Sequence, residues 1–184
     1  MSLVTHDIIE RCKKQEAAAQ RQLFESLSGQ LLGVCVRYLK TRELAEDCLQ
    51  EVFIKIFSNI AKYRGDGPFE AWARRIAVNE IMSQFRTKNV LDTAVDYEEV
   101  EIENSSADVM GDISHKQMLY FINLLPEGKK VVFNLYVIEG YSHKEIAQML
   151  DITEGTSKSQ LSKAKEMLVK LHRKYNLTHE ERNA

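Results

Sequence analysis

The sequence predicts an all-α fold of two small helical domains joined by a flexible acidic linker, with a helix-turn-helix in the second domain. Three observations predict it. The 184 residues include only 8 Gly and 2 Pro, too few for the many tight turns of a β-sandwich or barrel. Apolar residues make up 44% of the chain and recur at three- and four-residue spacing, the period of a buried helix face rather than of a strand. Charge is unevenly placed. Residues 1–90 carry 14 Lys and Arg against 11 Asp and Glu, and residues 116–184 carry 11 against 8. Residues 91–115 carry no base and 8 acids. Two mildly basic bodies, 1–90 and 116–184, therefore flank an acidic connector.

That connector holds Asp92, Asp96, Glu98, Glu99, Glu101, Glu103, Asp108 and Asp112. Like charges at this density repel and have no apolar face to bury, which predicts a flexible linker. A carboxylate metal site is the alternative, but the Asp/Asn/Gly spacing of a calcium loop is absent. The sequence has no uninterrupted apolar run long enough to span a bilayer, and Met1 to Glu10 has neither a basic nor an apolar leader region. A cytoplasmic chain with no direct membrane insertion is the expectation. Cys12, Cys35 and Cys48 form no C-x-x-C or His-spaced cluster, so they are expected to be reduced, mostly buried thiols, and neither a metal nor a cofactor is called for.

In the first body, Ile8, Ile9 and Cys12 open the helical pattern. Leu23, Phe24, Leu27, Leu31, Leu32, Cys35, Val36 and Leu39 continue it. Two helices broken near Ser28 and Gly29 satisfy the spacing, and so does one continuous helix. Thr41 caps the next helix, whose early Glu43, Glu46 and Asp47 complement the helix dipole. Its apolar stripe, from Leu44 to Ile60, is wider than one buried face, which leaves Phe53 or Ile54 over for a partner. On the polar side Asp47, Gln50 and Glu51 align at helical spacing; by themselves they read as a solvated face. Gly65, Gly67 and Pro68 then break the chain into a basic loop containing Tyr63 and Arg64. The following helix, from about Phe69 to Arg86, buries Phe69, Trp72, Ala73, Ile76, Ala77 and Phe85, with Arg74, Arg75, Asn79 and Arg86 on other faces. Cations beside an exposed ring suit single-stranded DNA, because cations track phosphates and any unstacked base can lie on the ring.

In the second body, Met118 to Leu125 is a helix ended by Pro126, and Lys129 to Ile138 is another, stopped by Gly140. Ser142-His143-Lys144-Glu145 is a capping box. It opens a short helix with Ile146, Ala147 and Leu150 inward. After the turn Asp151-Ile152-Thr153, a capped long helix carries Ser157, Leu161, Ala164, Leu168 and Leu171 on one face. Two helices and a tight turn are the helix-turn-helix pattern. At about 100° per residue, Ser159, Lys163 and Lys170 project opposite the buried stripe, flanked by Thr156, Lys158, Gln160 and Ser162. Hydroxyl, amide and lysine groups of this kind reach base edges and phosphates in a major groove, although a lysine-rich helical hairpin would look the same.

With both bodies described, the chain resembles the extracytoplasmic-function sigma factors of bacterial RNA polymerase. ELAEDCLQEVFIKIF (Glu43 to Phe57) resembles the helix that docks on the β′ clamp. YRGDGPFEAWARRIAVN (Tyr63 to Asn79) resembles the segment that captures the melted −10 promoter element. LPEGKKVVFNLYVIEGYSHKEIAQMLDITEGTSKSQLSKA (Leu125 to Ala164) resembles the domain that reads the −35 element. The resemblance implies a region 2 domain over 1–90 and a region 4 domain over 116–184. It implies polymerase contacts at Asp47, Gln50, Glu51 and Phe53, and −10 contacts at Asn59, Tyr63, Arg64, Arg74, Arg75 and Asn79. For the −35 element it implies Thr156, Lys158, Ser159, Gln160, Ser162 and Lys163. Core RNA polymerase (β′ clamp and β flap), promoter DNA and an anti-sigma factor are the implied partners. Promoter recognition, melting and initiation at a stress- or signal-responsive gene set are the implied function.

Three departures stand out. The family usually has a bulky aliphatic where this chain has Ser157, which should loosen the motif unless the hydroxyl is hydrogen-bonded. Arg is usual at the position of Gln160 and common at that of Lys163, so the −35 sequence read here should differ. A stand-alone helix-turn-helix regulator would need a dimer seam that the sequence does not show, and it leaves ELAEDCLQEVF without a task. A hydrolase or nuclease would need H-E-x-x-H, G-x-S-x-G or a phosphate loop. All three are absent, and the chain is expected not to be an enzyme.

Overall fold

The computed structural model describes residues 4–87 and 115–180, and among these all regular structure is helical. The acidic connector expected over 91–115 lies, apart from His115, outside the described residues. The chain divides into two compact units between Thr87 and Lys88.

The first unit begins with α1 (His6–Lys13), where the Thr5 hydroxyl accepts from the Ile8 backbone N–H, and Ile8, Ile9 and Cys12 face inward. The chain turns at Gln15, which holds a left-handed backbone at φ 60°. It then enters α2 (Ala17–Tyr38), which runs unbroken through Ser28 and Gly29. The break considered near Gly29 is therefore absent: the helix is held by Leu23, Leu27, Leu31, Val34, Cys35 and Tyr38, all buried. Burial of that length of face outweighs the roughly 1 kcal/mol that a mid-helix glycine costs. α3 (Arg42–Asn59) starts at Thr41, whose hydroxyl accepts from the Leu44 N–H at 3.3 Å. A 3-10 turn (Ile60–Lys62) leads into the loop before α4 (Phe69–Thr87).

α2 is the hub, packing against α1, α3 and α4, while α3 and α4 also pack on each other. Val52, Ile56, Ala73, Ala77, Val78 and Ile81 fill the interior. At its margin the half-exposed Lys55 of α3 pairs with the nearly buried Glu80 carboxylate of α4. All three thiols are buried and reduced. Cys48 on α3 shares a hydrogen bond with Cys35 on α2, and this contact together with burial pushes its thiol up. Burial does the same to Cys12.

In the second unit, α5 (His115–Asn123) and α6 (Glu127–Phe133) precede a π-helical turn (Asn134–Ile138), in which Glu139 N–H reaches back to the Asn134 carbonyl. Gly140, at φ 79°, ends it. α7 (His143–Leu150) carries the expected capping box complete: Ser142 accepts from the Glu145 N–H, and the Glu145 carboxylate accepts from the Ser142 N–H at 2.8 Å. Asp151 takes the left-handed conformation at φ 55°, the usual way to leave a helix sharply. Thr153 then caps α8 (Glu154–Glu180), its hydroxyl accepting from Thr156 N–H at 3.0 Å. α8 packs on α5, α6 and α7. Ser142→Ala is expected to cost this unit about 0.5–2 kcal/mol, since both halves of the box are made. Thermal melting followed by circular dichroism measures it.

Candidate functional site

The loop after α3 is a built feature. Tyr63, half-buried, packs edge-on against Phe69 at 5.0 Å between ring centroids and lies 5.6 Å from Trp72, while Phe69 and Trp72 are 5.2 Å apart. Its hydroxyl donates to the Gly67 carbonyl, closing the loop on itself. Gly65 has φ 83°, a turn conformation that L side chains rarely adopt. The loop thus presents one aromatic ring backed by two others. Spacing predicts Phe69, Trp72 and Ile76 buried; Phe69 is, whereas Trp72 and Ile76 are half-buried, and spacing alone does not show that Phe69 and Trp72 back the Tyr63 ring. The three-residue spacing of Phe69 and Trp72 on one face of α4, directly after the loop, was the available signal.

Asn59, at the end of α3, is committed to its neighbours: its amide donates to the Lys55 carbonyl at 2.9 Å and its oxygen accepts from Lys62 Nζ at 2.7 Å. Arg64, Arg75 and Asn79 are exposed, and Arg74 is half-buried. Arg64 lies in the loop with Tyr63, while Arg74, Arg75 and Asn79 lie on α4.

On α3, Asp47, Gln50 and Glu51 are all exposed. Phe53 is not. It is 4% exposed, with its ring 4.6 Å from that of Phe24 and 5.9 Å from that of Phe57. The expectation that Phe53 offers its ring to a partner is corrected: it anchors α3 on α2. The apolar groups this helix presents outward are Ile54, 59% exposed, and Leu44, 44% exposed. A residue at the border of a wide stripe is assigned in or out by the packing of its neighbours, here Phe24, which period alone does not contain.

In the second unit the buried stripe of α8 is Ser157, Leu161 and Ala164, with Leu168 and Leu171 half-buried. Lys158, Ser159, Ser162, Lys163 and Lys170 are exposed. Lys158 lies 4.0 Å from Glu154, and the Ser162 hydroxyl lies 3.3 Å from Glu166. Thr156 is half-buried with its hydroxyl 2.9 Å from that of Thr153, so it belongs to the cap. Gln160 is half-buried, and its amide oxygen is turned inward with no hydrogen-bond partner among the described residues. The outward face near the helix start is therefore two lysines and two serines within about two and a half turns of it, where a helix-turn-helix meets base edges.

Among the described residues no three His, Cys, Asp or Glu side chains are grouped to hold a metal ion. No helix there is long and apolar enough to cross a membrane.

Residues 23–90 match the family Sigma-70 region 2, and residues 115–168 match Sigma-70, region 4. One match covers most of the first unit and the other lies within the second. The chain is 29% identical over 180 residues to the ECF RNA polymerase sigma-E factor of Haemophilus influenzae, covering 90% of this chain and 94% of that protein. It is 27% identical to the RNA polymerase sigma-H factor of Pseudomonas aeruginosa, covering 89% and 91%. Among solved structures, the sigma factor RpoE of Bartonella quintana, crystallised with the anti-sigma factor NepR, has a similar fold. Its TM-score is 0.51 at 23% identity, over 83% of this chain and 96% of that one.

Proposed function

The chain belongs to the sigma-70 family as an extracytoplasmic-function RNA polymerase sigma factor, and from that premise we propose how its surfaces divide the work of initiation. α3 docks on the polymerase clamp through Asp47, Gln50 and Glu51, with Ile54 rather than Phe53 as the apolar contact. The Tyr63 loop and α4 take the −10 element: Tyr63 stacks an unpaired base, and Arg64, Arg75 and Asn79 hold the strand around it. α8 enters the major groove of the −35 element, with Lys158, Ser159, Ser162 and Lys163 outermost. The observation that carries this division is the Tyr63 ring held ready on Phe69 and Trp72, tied through its hydroxyl to Gly67.

A prebuilt ring lowers the cost of capturing a base. Unstacking a base costs a few kcal/mol, and stacking on an aromatic returns about 1–3 kcal/mol. Polymerase supplies the chemistry of synthesis, and this chain supplies positioning alone, acting in the cytoplasm where polymerase and chromosome meet. The Bartonella quintana sigma factor was solved with an anti-sigma factor bound, and we take this chain to be held silent by a partner of that kind.

Lys163→Ala tests the assignment of α8. It is expected to weaken promoter binding by about 1–3 kcal/mol and to relax the preference at one position of the −35 element. Binding of holoenzyme to labelled promoter variants at several salt concentrations measures both. A preference that stays unchanged while the salt dependence falls would move Lys163 from a base to a phosphate.

A further inference from the structure

Ser157 is fully buried in the first turn of α8, directly beneath the residues that face outward. Its hydroxyl lies 2.9 Å from Nδ1 of His143, the first residue of α7. The imidazole is in turn stacked on Tyr136 of the π-helical turn, with ring centroids 4.5 Å apart and planes 23° from parallel. Three successive elements, the π turn, α7 and α8, thus meet at one polar contact.

We propose that Tyr136, His143 and Ser157 are positioning residues that set the rotation of α8 about its axis, and so decide which side chains of Lys158, Ser159, Ser162 and Lys163 reach the −35 bases. The proposal rests on the reading of α8 as the −35 reader. Its physical basis is the difference between a greasy contact and a hydrogen bond. An aliphatic side chain at position 157 would tolerate rotation of the helix by several degrees, because dispersion contacts are non-directional. A buried hydroxyl tolerates much less, since losing its partner leaves a polar group unsatisfied in the interior. His143 can meet the hydroxyl in either tautomer, with the hydroxyl donating to a bare Nδ1 or the Nδ1–H donating to the oxygen. The stack on Tyr136 fixes the ring plane, and with it the direction of the bond. Position 143 is held from the other side by the capping box at Ser142 and Glu145. The contact therefore ties the start of α7 to the start of α8, the two ends that a helix-turn-helix must hold in register on DNA.

The experiment uses the full chain assembled with core polymerase, and the readout is discrimination: the ratio of transcription from the preferred −35 sequence to that from single-base variants of it, with one −10 element throughout. Ser157→Ala and His143→Phe are each expected to lower that ratio about fivefold or more. Ile122→Val, a core change in α5, serves as the stability control and is expected to leave the ratio within about twofold at equal folded concentration. The double variant Ser157→Ala with His143→Phe is expected to be no worse than either single variant, because both remove one shared contact. Single-variant ratios indistinguishable from that of Ile122→Val overturn the proposal, and so does a double variant whose losses simply multiply. A Lys163→Ala chain that keeps both wild-type discrimination and wild-type salt dependence overturns the assignment of α8 to the −35 element, and the proposal falls with it. Lost discrimination in Lys163→Ala beside retained discrimination in Ser157→Ala overturns the positioning role alone.

Discussion

Tyr63→Ala is expected to slow open-complex formation by roughly five- to a hundred-and-fiftyfold, the equivalent of the 1–3 kcal/mol that one base–aromatic stack contributes, while closed-complex binding changes by less than about threefold. The asymmetry follows from where the ring acts. In the closed complex the −10 bases are still paired and cannot reach it, so the ring contributes only after a base has left the stack. Tyr63→Phe keeps the ring and its contacts with Phe69 and Trp72 but removes the hydroxyl that donates to the Gly67 carbonyl. Its expected effect is the loss of one partly exposed hydrogen bond, about 0.5–1.5 kcal/mol, felt as a looser loop. The order wild type, Phe, Ala in the melting rate, followed with a fluorescent base in the −10 element, is the expected result. Equal loss of closed binding and of melting in Tyr63→Ala would show that the residue holds the loop or the duplex and does not capture a base.

A second large effect separates two isoleucines that stand two residues apart on α3. Ile56 is fully buried in the interior of the first unit, and Ile54 is 59% exposed. Ile56→Ala removes three carbons from a close-packed interior and leaves a cavity, which costs about 2–5 kcal/mol. In a unit of this size each kcal/mol lowers the melting temperature by about 4–8 °C, so a drop of ten degrees or more is expected. Ile54→Ala should leave stability within about 0.5 kcal/mol, as surface changes do. Yet it should weaken assembly with core polymerase by about 1–2 kcal/mol, since an apolar group left outside the core is a candidate anchor for a partner. Calorimetry of the free chain and a fluorescence titration with core polymerase measure the two quantities. Polymerase affinity unchanged in Ile54→Ala would take the apolar contact away from α3 and leave Asp47, Gln50 and Glu51 to account for docking.

What could be learned from the sequence was what is local. Thr41, Ser142 and Thr153 each sit one residue before a helix and each caps it as its position demands. The capping box at Ser142 and Glu145 and the turn at Asp151 place the helix-turn-helix, and the outward set on α8 follows from its period. What the sequence concealed depended on contacts between elements. Gly29 reads as a breaker, but it lies on an exposed side of α2 whose opposite face is buried along its length, and the helix continues. The true break falls at Lys14–Glu16, where Gln15 adopts a left-handed backbone that no glycine or asparagine announces. Phe53 sat at the edge of an over-wide stripe and was drawn inward by Phe24, a residue 29 positions earlier. Gln160 projects toward the DNA face by angle, yet its amide oxygen turns inward. Ser157 was anomalous in the sequence, and only its 2.9 Å contact with His143 shows what the hydroxyl does.

The most direct test is transcription in vitro with purified core polymerase, a promoter library randomised at both elements, and sequencing of the transcripts that appear only when this protein is added. The account predicts enrichment of two-part promoters, with a −35 preference that shifts in Lys163→Ala and a −10 preference that weakens in Tyr63→Ala. No added transcripts from a folded protein that binds duplex DNA on its own would contradict it and mark the chain as a stand-alone DNA-binding regulator.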